Sequence, residues 1–285
     1  MKHSLISIIT PTLNQATYIK QTIHSVLSQN YPYIEYIIVD GGSTDNTIQI
    51  LKEFELKLKR KKLKVKREIN NDQVRRKKEK GKRNTFSFHW ISKNDKGQTD
   101  AINKGLRKAT GDILCYLNSD DYLEPYAVSK VMEVFQRNKR VMWVTGDCRI
   151  VNEKGQEMQR YVKWYKKILR CFPLSLILSI TNPIVQPSTF WRREVLEKVG
   201  YFDETLRYTF DYDFWFHIVQ KYPLTVLPIV LSAFRIHGES KGGRSYKKQF
   251  DEEMEVVTRY VNNPIFLFLH TIHNILIIWV YNVIK

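Results

Sequence analysis

Two adjacent carboxylates, Asp120 and Asp121, stand at the end of an apolar segment in the stretch CYLNSDDYLE. The preceding residues, 115–117, have the character of a buried strand. Two acids in such a place are costly unless a positive charge lies beside them. The first polar residue after the strand is Asn118, which is neutral. The stretch therefore indicates a charge-compensated site and leaves open what supplies its positive charge.

Small or acidic residues follow two further strand candidates. The sequence TPTLN occupies residues 10–14, and DGGSTD occupies residues 40–45. Gly41 and Gly42 permit a close backbone approach or a positive φ. In an open α/β sheet the ligand site forms outside the carboxyl ends of the strands, so three such ends together indicate one site. These loops match neither the Walker phosphate-binding pattern nor the dinucleotide pattern G-x-G-x-x-G.

Alternating strand and helix candidates fill the first 150 residues, and they must position these polar strand ends. Strands are predicted at Leu5–Thr10, Tyr36–Asp40, Ile113–Leu117 and Met142–Thr145. Helices are predicted at Tyr18–Ser28, Asn46–Glu55, Thr99–Ala109 and Pro125–Gln136. This β-α-β-α rhythm predicts an α/β fold with an open, mostly parallel, twisted sheet and helices on both faces. Farther along, the stretch NEKG at 152–155 predicts a hairpin turn.

Four ordered stretches within residues 4–240 form a recognisable pattern. The first is ISIITPTLNQATYIKQTIHSVLSQNYPYIEYIIVDGGSTDNT, and the second is NDKGQTDAINKGLRKATGDILCYLNSDDYL. The third is QPSTFWRREVLEKVGYFDETLRYTFDYDFWFHI, and the last is FRIHGESK. Together they resemble the N-terminal, central, acceptor and closing segments of glycosyltransferase family 2. The resemblance implies the GT-A fold and an inverting enzyme that transfers a sugar from a nucleotide-sugar donor, UDP- or dTDP-linked, to a hydroxyl acceptor.

The resemblance also implies where the donor binds. The triplet from Asn118 to Asp120 occupies the place of the family's D-x-D motif, where a carboxylate holds a divalent cation on the donor's diphosphate. Asp120 is then the predicted ligand of Mg²⁺ or Mn²⁺, with His237 as a second ligand or a structural residue. The residues placed at the donor are Thr10, Pro11, Asn14, Asp40, Gly42, Lys96, Asp100, Asn118, Ser119 and Asp121. Asp100 could instead cap its helix, and Lys96 could be a solvated turn charge.

Asp211 matches the family's catalytic base. By resemblance it deprotonates an acceptor hydroxyl as that oxygen attacks the anomeric carbon from the face opposite the diphosphate. Attack of this kind inverts the anomeric configuration without a covalent sugar–enzyme intermediate. Asp213 is a rival for the base, and Asp211 could also be a plain helix N-cap. The family often has Glu before this Asp, whereas this sequence has Phe210.

We expect a transferase domain over residues 1–245, with a nucleotide-sugar-binding half at 1–150 and an acceptor half at 151–245. A basic insertion at 57–83 holds 15 Lys or Arg and 3 acidic residues, which accounts for +12 of the chain's net charge of +17. Such a block is typical of a solvated loop or charged helix, or of a patch that faces anionic lipid. Nucleic acid is not expected as a partner, because no aromatic residues interleave with these charges.

Residues 246–285 are predicted to form a C-terminal helical extension. Within it, Pro264–Ile284 has 21 residues, enough to cross a bilayer. Its central polar residues His270, His273 and Asn274 lie on one helical face, where crossing would be costly. The helix could lie at the membrane interface, pack on the domain or span the bilayer, and we favour the first. Nearby basic residues that could face the membrane are Lys166, Lys167 and Arg170.

These features predict a cytoplasmic protein that is peripheral at the inner face of the cell membrane. Its three cysteines are widely spaced, as reduced cytosolic thiols are, and the N-terminus lacks a signal-peptide pattern. By resemblance, the acceptor is a glycan or a lipid-linked precursor of a cell-surface polysaccharide.

Two rival functions stay open. A sugar-phosphate nucleotidyltransferase would also use an α/β sheet, paired acids and a metal, but its Gly-rich basic N-terminal loop is missing. A non-catalytic glycan- or membrane-surface module would have no need of Asp120 and Asp211.

Overall fold

The computed structural model describes residues 4–71, 86–238 and 246–284, and within these ranges the side chains of 61–71, 246–247 and 280–284 are not described. Nine described strands form one mixed sheet. They are β1 (Ile6–Thr12), β2 (Ile34–Asp40), β3 (Ser87–Ser92), β4 (Ile113–Tyr116), β5 (Tyr122–Leu123), β6 (Trp143–Val151), β7 (Glu157–Met158), β8 (Thr189–Arg192) and β9 (Thr225–Arg235). Their order is β3-β2-β1-β4-β8-β6-β9-β5, and β7 pairs with β6. The predicted α/β class is confirmed.

Helices accompany the strands along the chain. The described α-helices are α1 (Ile19–Leu27), α2 (Thr47–Asn71), α3 (Gln98–Lys108), α4 (Ala127–Arg137), α5 (Arg160–Leu169), α6 (Leu174–Leu178), α7 (Arg193–Val199), α8 (Phe210–Val219), α9 (Tyr246–Tyr260) and α10 (Pro264–Ile284). The four helices and four strands predicted in the first 150 residues are confirmed. Helix α2 runs beyond its predicted end into the basic segment, whose later residues, from 72 to 83, lie outside the described part.

The N-terminal half is the parallel part of the sheet. Strands β3, β2, β1 and β4 run parallel, and all residues of β1 and β2 are buried. Continuous burial is expected of parallel strands that are covered on both faces. Helix α3 comes so close to β1 that a Cβ at Gly105 would lie 2.4 Å from the Ile9 side chain. Strand β3 was not predicted, because its sequence SFHWIS lacks an apolar run. Its residues are half-buried or exposed.

The C-terminal half adds an antiparallel part and an aromatic core. Strand β6 pairs antiparallel with β8 and parallel with β9. The predicted NEKG turn is confirmed, because β6 and β7 pair antiparallel around it and Gly155 has a φ of 78°. The rings of Trp143 and Trp215 stack at 5.7 Å between centroids, with Trp191 packed edge-on against Trp215. The aromatic face of α8 is therefore core, which fixes the start of that helix against the sheet.

The last two helices pack on this half. Tyr260 of α9 stacks on Phe216 of α8 at 4.7 Å. In α10 the polar residues His270 and Asn274 are buried, so the polar face of this helix meets the domain. No helix is both long enough and apolar enough to cross a membrane within the part of the chain that was described.

Candidate functional site

The carboxyl ends of the parallel strands meet at one edge, as predicted. Thr12 of β1 pairs with Asp40 of β2, and Asp40 pairs with Ser92 of β3. The chain continues from β4 with Leu117, whose N–H donates to the Ile9 carbonyl at 2.8 Å. The loops after β1, β2, β3 and β4 therefore lie along the same edge of the sheet, and we call the space that they border the cleft.

Asp40 organises the loop after β2. Its Oδ2 accepts hydrogen bonds from the backbone N–H groups of Gly42 and Ser43, both at 3.0 Å, and from the Ser92 hydroxyl at 2.7 Å. The Asp40 side chain is fully buried. In this structure the carboxylate thus holds the loop of β2 against β3, and its predicted contact with the nucleoside stays a prediction.

Asn14 ties the loop after β1 to the same turn. Its Oδ1 accepts from the Thr44 N–H at 2.8 Å, and its own N–H donates to the Ser43 hydroxyl at 2.7 Å. Asn14 has a φ of 52°, a left-handed conformation that Asn tolerates well. The neighbouring residues Thr10 and Pro11 are buried in β1, where Thr10 hydrogen-bonds Tyr36. Of these three residues, Asn14 is the one at the cleft rim.

Asp95 belongs to the site and was missed by sequence reasoning. A Cβ at Gly41 would come within 2.5 Å of the Asp95 carboxylate, and one at Gly42 within 2.3 Å of the Asn94 side chain. Gly42 also has a φ of 94°, so both close approach and backbone conformation require glycine there. Burial, followed by the negative charges of Asp100 and Asp40, raises the pKa of Asp95. The signal for it was the turn sequence NDKG, which also reads as an ordinary solvated loop.

Asp100 lies in the first turn of α3. Its Oδ2 accepts the Lys96 N–H at 2.9 Å and pairs with the Lys104 ammonium at 2.8 Å. Burial alone would raise its pKa, but these bonds lower it. Asp100 thus holds the chain just before α3 through the Lys96 N–H, whereas the N-cap residue of α3 is Gly97. The predicted contacts of Asp100 and Lys96 with the donor stay predictions. Gln98, at the start of α3, instead reaches the next strand end.

Asn118 is the centre of a polar network. Its Oδ1 accepts from Gln98 Nε2 at 2.8 Å, and its Nδ2 donates to Asp121 Oδ2 and to Gln186 Oε1, both at 3.3 Å. Asp121 is buried and accepts the Arg235 N–H at 2.8 Å. Burial and the charge of Asp120 raise the Asp121 pKa well above its usual value. A neutral amide at 118 can donate to this carboxyl, whereas a third carboxylate would repel it.

We expect Asn118→Asp to lower the free energy of unfolding by about 2 kcal/mol at pH 8, because it puts like charges in contact beside a buried carboxyl. The loss is expected to shrink at pH 5, where the carboxyls take up protons. Urea unfolding at both pH values measures it. Asn118→Ala is the control, since it removes the same hydrogen bonds without adding charge. Equal stability of the two variants at pH 8 would contradict this account.

Asp120 faces the cleft beside His237. His237 Nε2 lies 3.0 Å from Asp120 Oδ2, and the His237 ring packs on Tyr18 at 4.6 Å. Arg235 Nε donates to the Asp120 carbonyl at 2.9 Å, which fixes the turn. Ser119 is buried, and its carbonyl accepts the Thr22 hydroxyl at 2.8 Å. Asp120 is therefore the member of its turn whose carboxylate is presented to a ligand.

These two side chains fit a divalent cation in part. An adjacent carboxylate and imidazole offer one oxygen and one nitrogen ligand. No group of three or more His, Cys, Asp or Glu side chains is arranged to hold a metal among the residues that the structure describes. A cation held by Asp120 and His237 would therefore take its remaining ligands from water and from the phosphates of a bound nucleotide.

Asp211 lies in the first turn of α8 and is partly exposed. Its Oδ1 accepts the Tyr212 N–H at 2.8 Å. Burial raises the pKa of Asp211 to about 6, against the opposing charge of Lys166. A carboxylate with this pKa can accept a proton near neutral pH and release it again.

Asp213 has a different environment. It is buried, and its Oδ1 accepts the Tyr260 hydroxyl at 2.6 Å and lies 3.5 Å from Arg259 Nη1. Both partners belong to α9, so Asp213 joins α8 to α9. This favours Asp211 over Asp213 as the base.

Tyr116 lies near both acidic centres. Burial raises its pKa well above the usual value, and the charges of Asp211 and Asp121 raise it further. Gln186, which reaches the Asn118 network, donates to the Tyr116 carbonyl at 2.8 Å. Asp211 therefore lies near Tyr116, which is at the end of the strand that leads into the turn of Asp120.

Helix α9 contributes two carboxylates that sequence reasoning missed. Glu252 Oε1 accepts the backbone N–H groups of Tyr208 at 2.7 Å and Thr209 at 2.8 Å, directly before α8. Glu253 is buried next to Asp211 and Lys166, and its burial raises the pKa to about 7. The sequence around these two residues is that of an amphipathic helix, in which acidic residues usually face solvent. Only the packing of α9 shows that both carboxylates lie next to the start of α8.

A family model and several known proteins match this chain. A family model described as Glycosyl transferase family 2 matches residues 7–85 and 79–200. An uncharacterized glycosyltransferase of Rickettsia conorii is 28% identical over 260 residues, which are 90% of this chain and 37% of that protein. A poly-beta-1,6-N-acetyl-D-glucosamine synthase of Staphylococcus epidermidis is 28% identical over 199 residues, which are 70% of this chain and 42% of that protein. The chain thus spans less than half the length of both relatives.

Two solved structures are similar in fold. S. aureus TarS in complex with UDP-GlcNAc has a TM-score of 0.61 at 19% identity, and the match covers 89% of this chain and 65% of that one. The mannosyltransferase PcManGT from Pyrobaculum calidifontis in complex with GDP-Man and Mn²⁺ has a TM-score of 0.65 at 17% identity. That match covers 95% of this chain and 69% of the other. At these identities the likeness concerns the fold alone.

Proposed function

Because this chain belongs to glycosyltransferase family 2 and has the GT-A fold, we propose that it is an inverting glycosyltransferase. It moves a sugar from a UDP- or dTDP-linked donor to a hydroxyl group of its acceptor. The observation that carries the proposal is that two acidic centres lie near the end of β4, close to Tyr116. Asp120 is presented beside His237, and Asp211 lies in the first turn of α8 with its pKa raised to about 6.

The donor side uses the loops after β1, β2, β3 and β4, in the half formed by residues 1–150. The rim residue Asn14 and the missed carboxylate Asp95 border the nucleoside, beside the loop that Asp40 holds. Asp120 and His237 would hold Mg²⁺ or Mn²⁺. A bound cation would supply positive charge against the negative charge that builds up on the departing diphosphate. The chain's own part is to fix the turn at 118–121 through Arg235 and the Asn118 network.

The acceptor side uses the half formed by residues 151–245 together with α9. The acceptor hydroxyl gives its proton to Asp211 while its oxygen bonds to the anomeric carbon. The bond from that carbon to the diphosphate oxygen breaks, and the nucleoside diphosphate leaves with the electron pair. Attack opposite the leaving group inverts the configuration. The positive charge of Lys166 lowers the pKa of Asp211 and so opposes the increase that burial causes.

The acceptor is a glycan or a lipid-linked precursor of a cell-surface polysaccharide, met at the inner face of the cell membrane. Support comes from the synthase of a polysaccharide among the relatives and from the chain's net charge of +17. A UDP-linked donor is supported by the similar fold of TarS, which was solved with UDP-GlcNAc.

The test is a panel of UDP- and dTDP-sugars incubated with the purified chain and Mg²⁺ or Mn²⁺. Release of nucleoside diphosphate supports glycosyl transfer, with water serving as the slow acceptor. Formation of pyrophosphate from a nucleoside triphosphate and a sugar phosphate would instead identify a nucleotidyltransferase. A folded chain that binds a donor in a thermal-shift assay but never turns it over would be a binding module.

The rate is expected to depend on the ionisation of Asp211. A base must be deprotonated, so kcat/KM is expected to rise about tenfold per pH unit below pH 6 and to level off above it. A pH profile of diphosphate release at saturating cation measures this. Glu253→Gln is the control, because Glu253 titrates near 7 and lies beside Asp211. A midpoint that disappears in Glu253→Gln would assign the profile to Glu253 instead.

A further inference from the structure

Helix α10 is amphipathic, but its polar face rather than its apolar face packs on the domain. Its polar residues face the domain: His270 and Asn274 are buried and hydrogen-bond each other at 3.0 Å. His270 also stacks against Tyr212 of α8, with the centroids 6.5 Å apart. The helix is therefore held by its polar side, and its apolar side is left to face outward.

The outward side of α10 carries an apolar stripe. Its members recur three or four residues apart, which places them on one helical face. They are Ile265, Phe268, Ile272, Ile275 and Trp279, with exposed fractions of 65%, 63%, 39%, 55% and 62%. Monomeric soluble proteins rarely expose a contiguous apolar surface of this kind, so something covers it.

Helix α5 continues this surface. Tyr165 of α5 hydrogen-bonds His273 of α10 at 2.7 Å, and the two rings are stacked. Tyr161 and Ile168, one turn to either side of Tyr165, are 51% and 38% exposed, and Trp164 beside it is 67% exposed. The exposed apolar side chains of α5 and α10 thus flank one contact and form one surface, which we call the α5–α10 face.

The charged residues of α5 are all basic, and Pro264–Ile284 has no charged residue. The chain has no Asp or Glu from residue 160 to 193, nor from 260 to 285. Lys167 is exposed, and Arg160 is exposed next to Glu157 at 3.6 Å. Lys166 and Arg170, by contrast, turn inward: Lys166 donates to the Ile184 carbonyl at 3.3 Å, and Arg170 pairs with Asp147. An apolar face with Trp, Tyr and cations at its border matches an interface with anionic lipid.

We propose that the α5–α10 face lies in the headgroup region of an anionic lipid bilayer, with α10 parallel to the membrane plane. The proposal deepens the proposed function, on which it rests for the lipid-linked acceptor. Helix α5 makes the connection, because Tyr165 contacts α10 while Lys166, the next residue, acts on Asp211. The base therefore stands near the membrane side of the domain, where a hydroxyl on a lipid-linked glycan would arrive.

Flotation of the full chain with vesicles tests the proposal. We expect the wild-type chain to float with phosphatidylcholine vesicles that contain phosphatidylglycerol and to bind pure phosphatidylcholine vesicles at least about tenfold more weakly. We expect two variants to bind the phosphatidylglycerol vesicles about tenfold or more weakly than the wild type. They are the double variant Phe268→Ser/Ile275→Ser and the single variant Trp164→Ser. Lys167→Glu is expected to lose about fivefold, and added salt to reduce binding of the wild type.

Leu56→Ser is the matched control, because Leu56 is 53% exposed on α2, away from this face. It is expected to float like the wild type. A wild-type chain that stays soluble with phosphatidylglycerol vesicles, or variants that float unchanged, would overturn the proposal. So would a wild-type dimer that Phe268→Ser/Ile275→Ser converts to monomer, since a second copy would then cover the face.

Diphosphate release measured without vesicles is expected to be the same in wild type and variants. Failure of that release in all chains, with flotation intact, would count against the proposed function alone.

Discussion

Asp211→Asn is expected to lower the rate of transfer about 10²–10⁴-fold while the chain still binds its donor. The amide cannot accept the acceptor's proton, and loss of a general base costs a factor of this size. The donor Kd is expected to change less than about twofold, because Asp211 belongs to α8 and not to the strand-end loops that are proposed to bind the donor. Single-turnover diphosphate or product release, together with donor titration by calorimetry, separates the two effects.

Asp213→Asn is the matched control for this experiment, since it makes the same change two residues farther along α8. It weakens the contact with Tyr260, so a loss of about 1 kcal/mol in unfolding free energy is expected. Its kcat is expected to stay within a few-fold of the wild type, because Asp213 bonds Tyr260 of α9 and is not the proposed base. If the folded Asp213→Asn variant were inactive and Asp211→Asn active, the roles of the two acids would be exchanged.

Asp120→Ala is expected to be far more damaging than Asn118→Ala. A cation that stabilises the leaving group contributes several kcal/mol to the transition state, so losing its carboxylate ligand costs roughly 10²-fold or more in turnover. Asn118 adds no charge, and its replacement by Ala is expected to cost about tenfold through the loosened turn. His237→Ala is expected to fall between the two, because His237 lies 3.0 Å from Asp120.

The cation itself gives a readout independent of turnover. In the wild-type chain, Mn²⁺ is expected to raise the thermal stability gained from a nucleoside diphosphate, because the two ligands share the phosphates. Asp120→Ala is expected to remove this added stabilisation and Asn118→Ala to keep it. Equal Mn²⁺ responses in the two variants would mean that Asp120 is not the metal ligand.

The parallel half of the fold could be predicted because its signals are local. Strands β1, β2 and β4 are short apolar runs, each followed by Gly, Asn or Asp, and the helices between them have clear apolar faces. Strand β3 could not be predicted, since its residues are half-buried at the edge of the sheet. The resemblance to family motifs then brought Asp120 and His237 into one hypothesis, although 117 residues separate them.

The local sequence around the missed residues did not distinguish them from solvated surface residues. Asp95 is recognised as part of the site through the backbone of Gly41, and Glu253 through the packing of α9 beside Asp211. The orientation of helix α10 could not be predicted from the sequence either. Its sequence places His270, His273 and Asn274 on one face, but only the tertiary structure shows that this face turns toward the domain.

The contact of Glu252 with the chain before α8 has a consequence for how the domain opens. One carboxylate holds the amides of Arg207, Tyr208 and Thr209, so these three cannot be released separately. They are expected to exchange with deuterium at one common rate, set by the detachment of α9. Helix α9 and the start of α8 then form a single cooperative unit. A fluctuation of α9 would thereby displace Asp211 without any change in the loops after β1, β2 and β4.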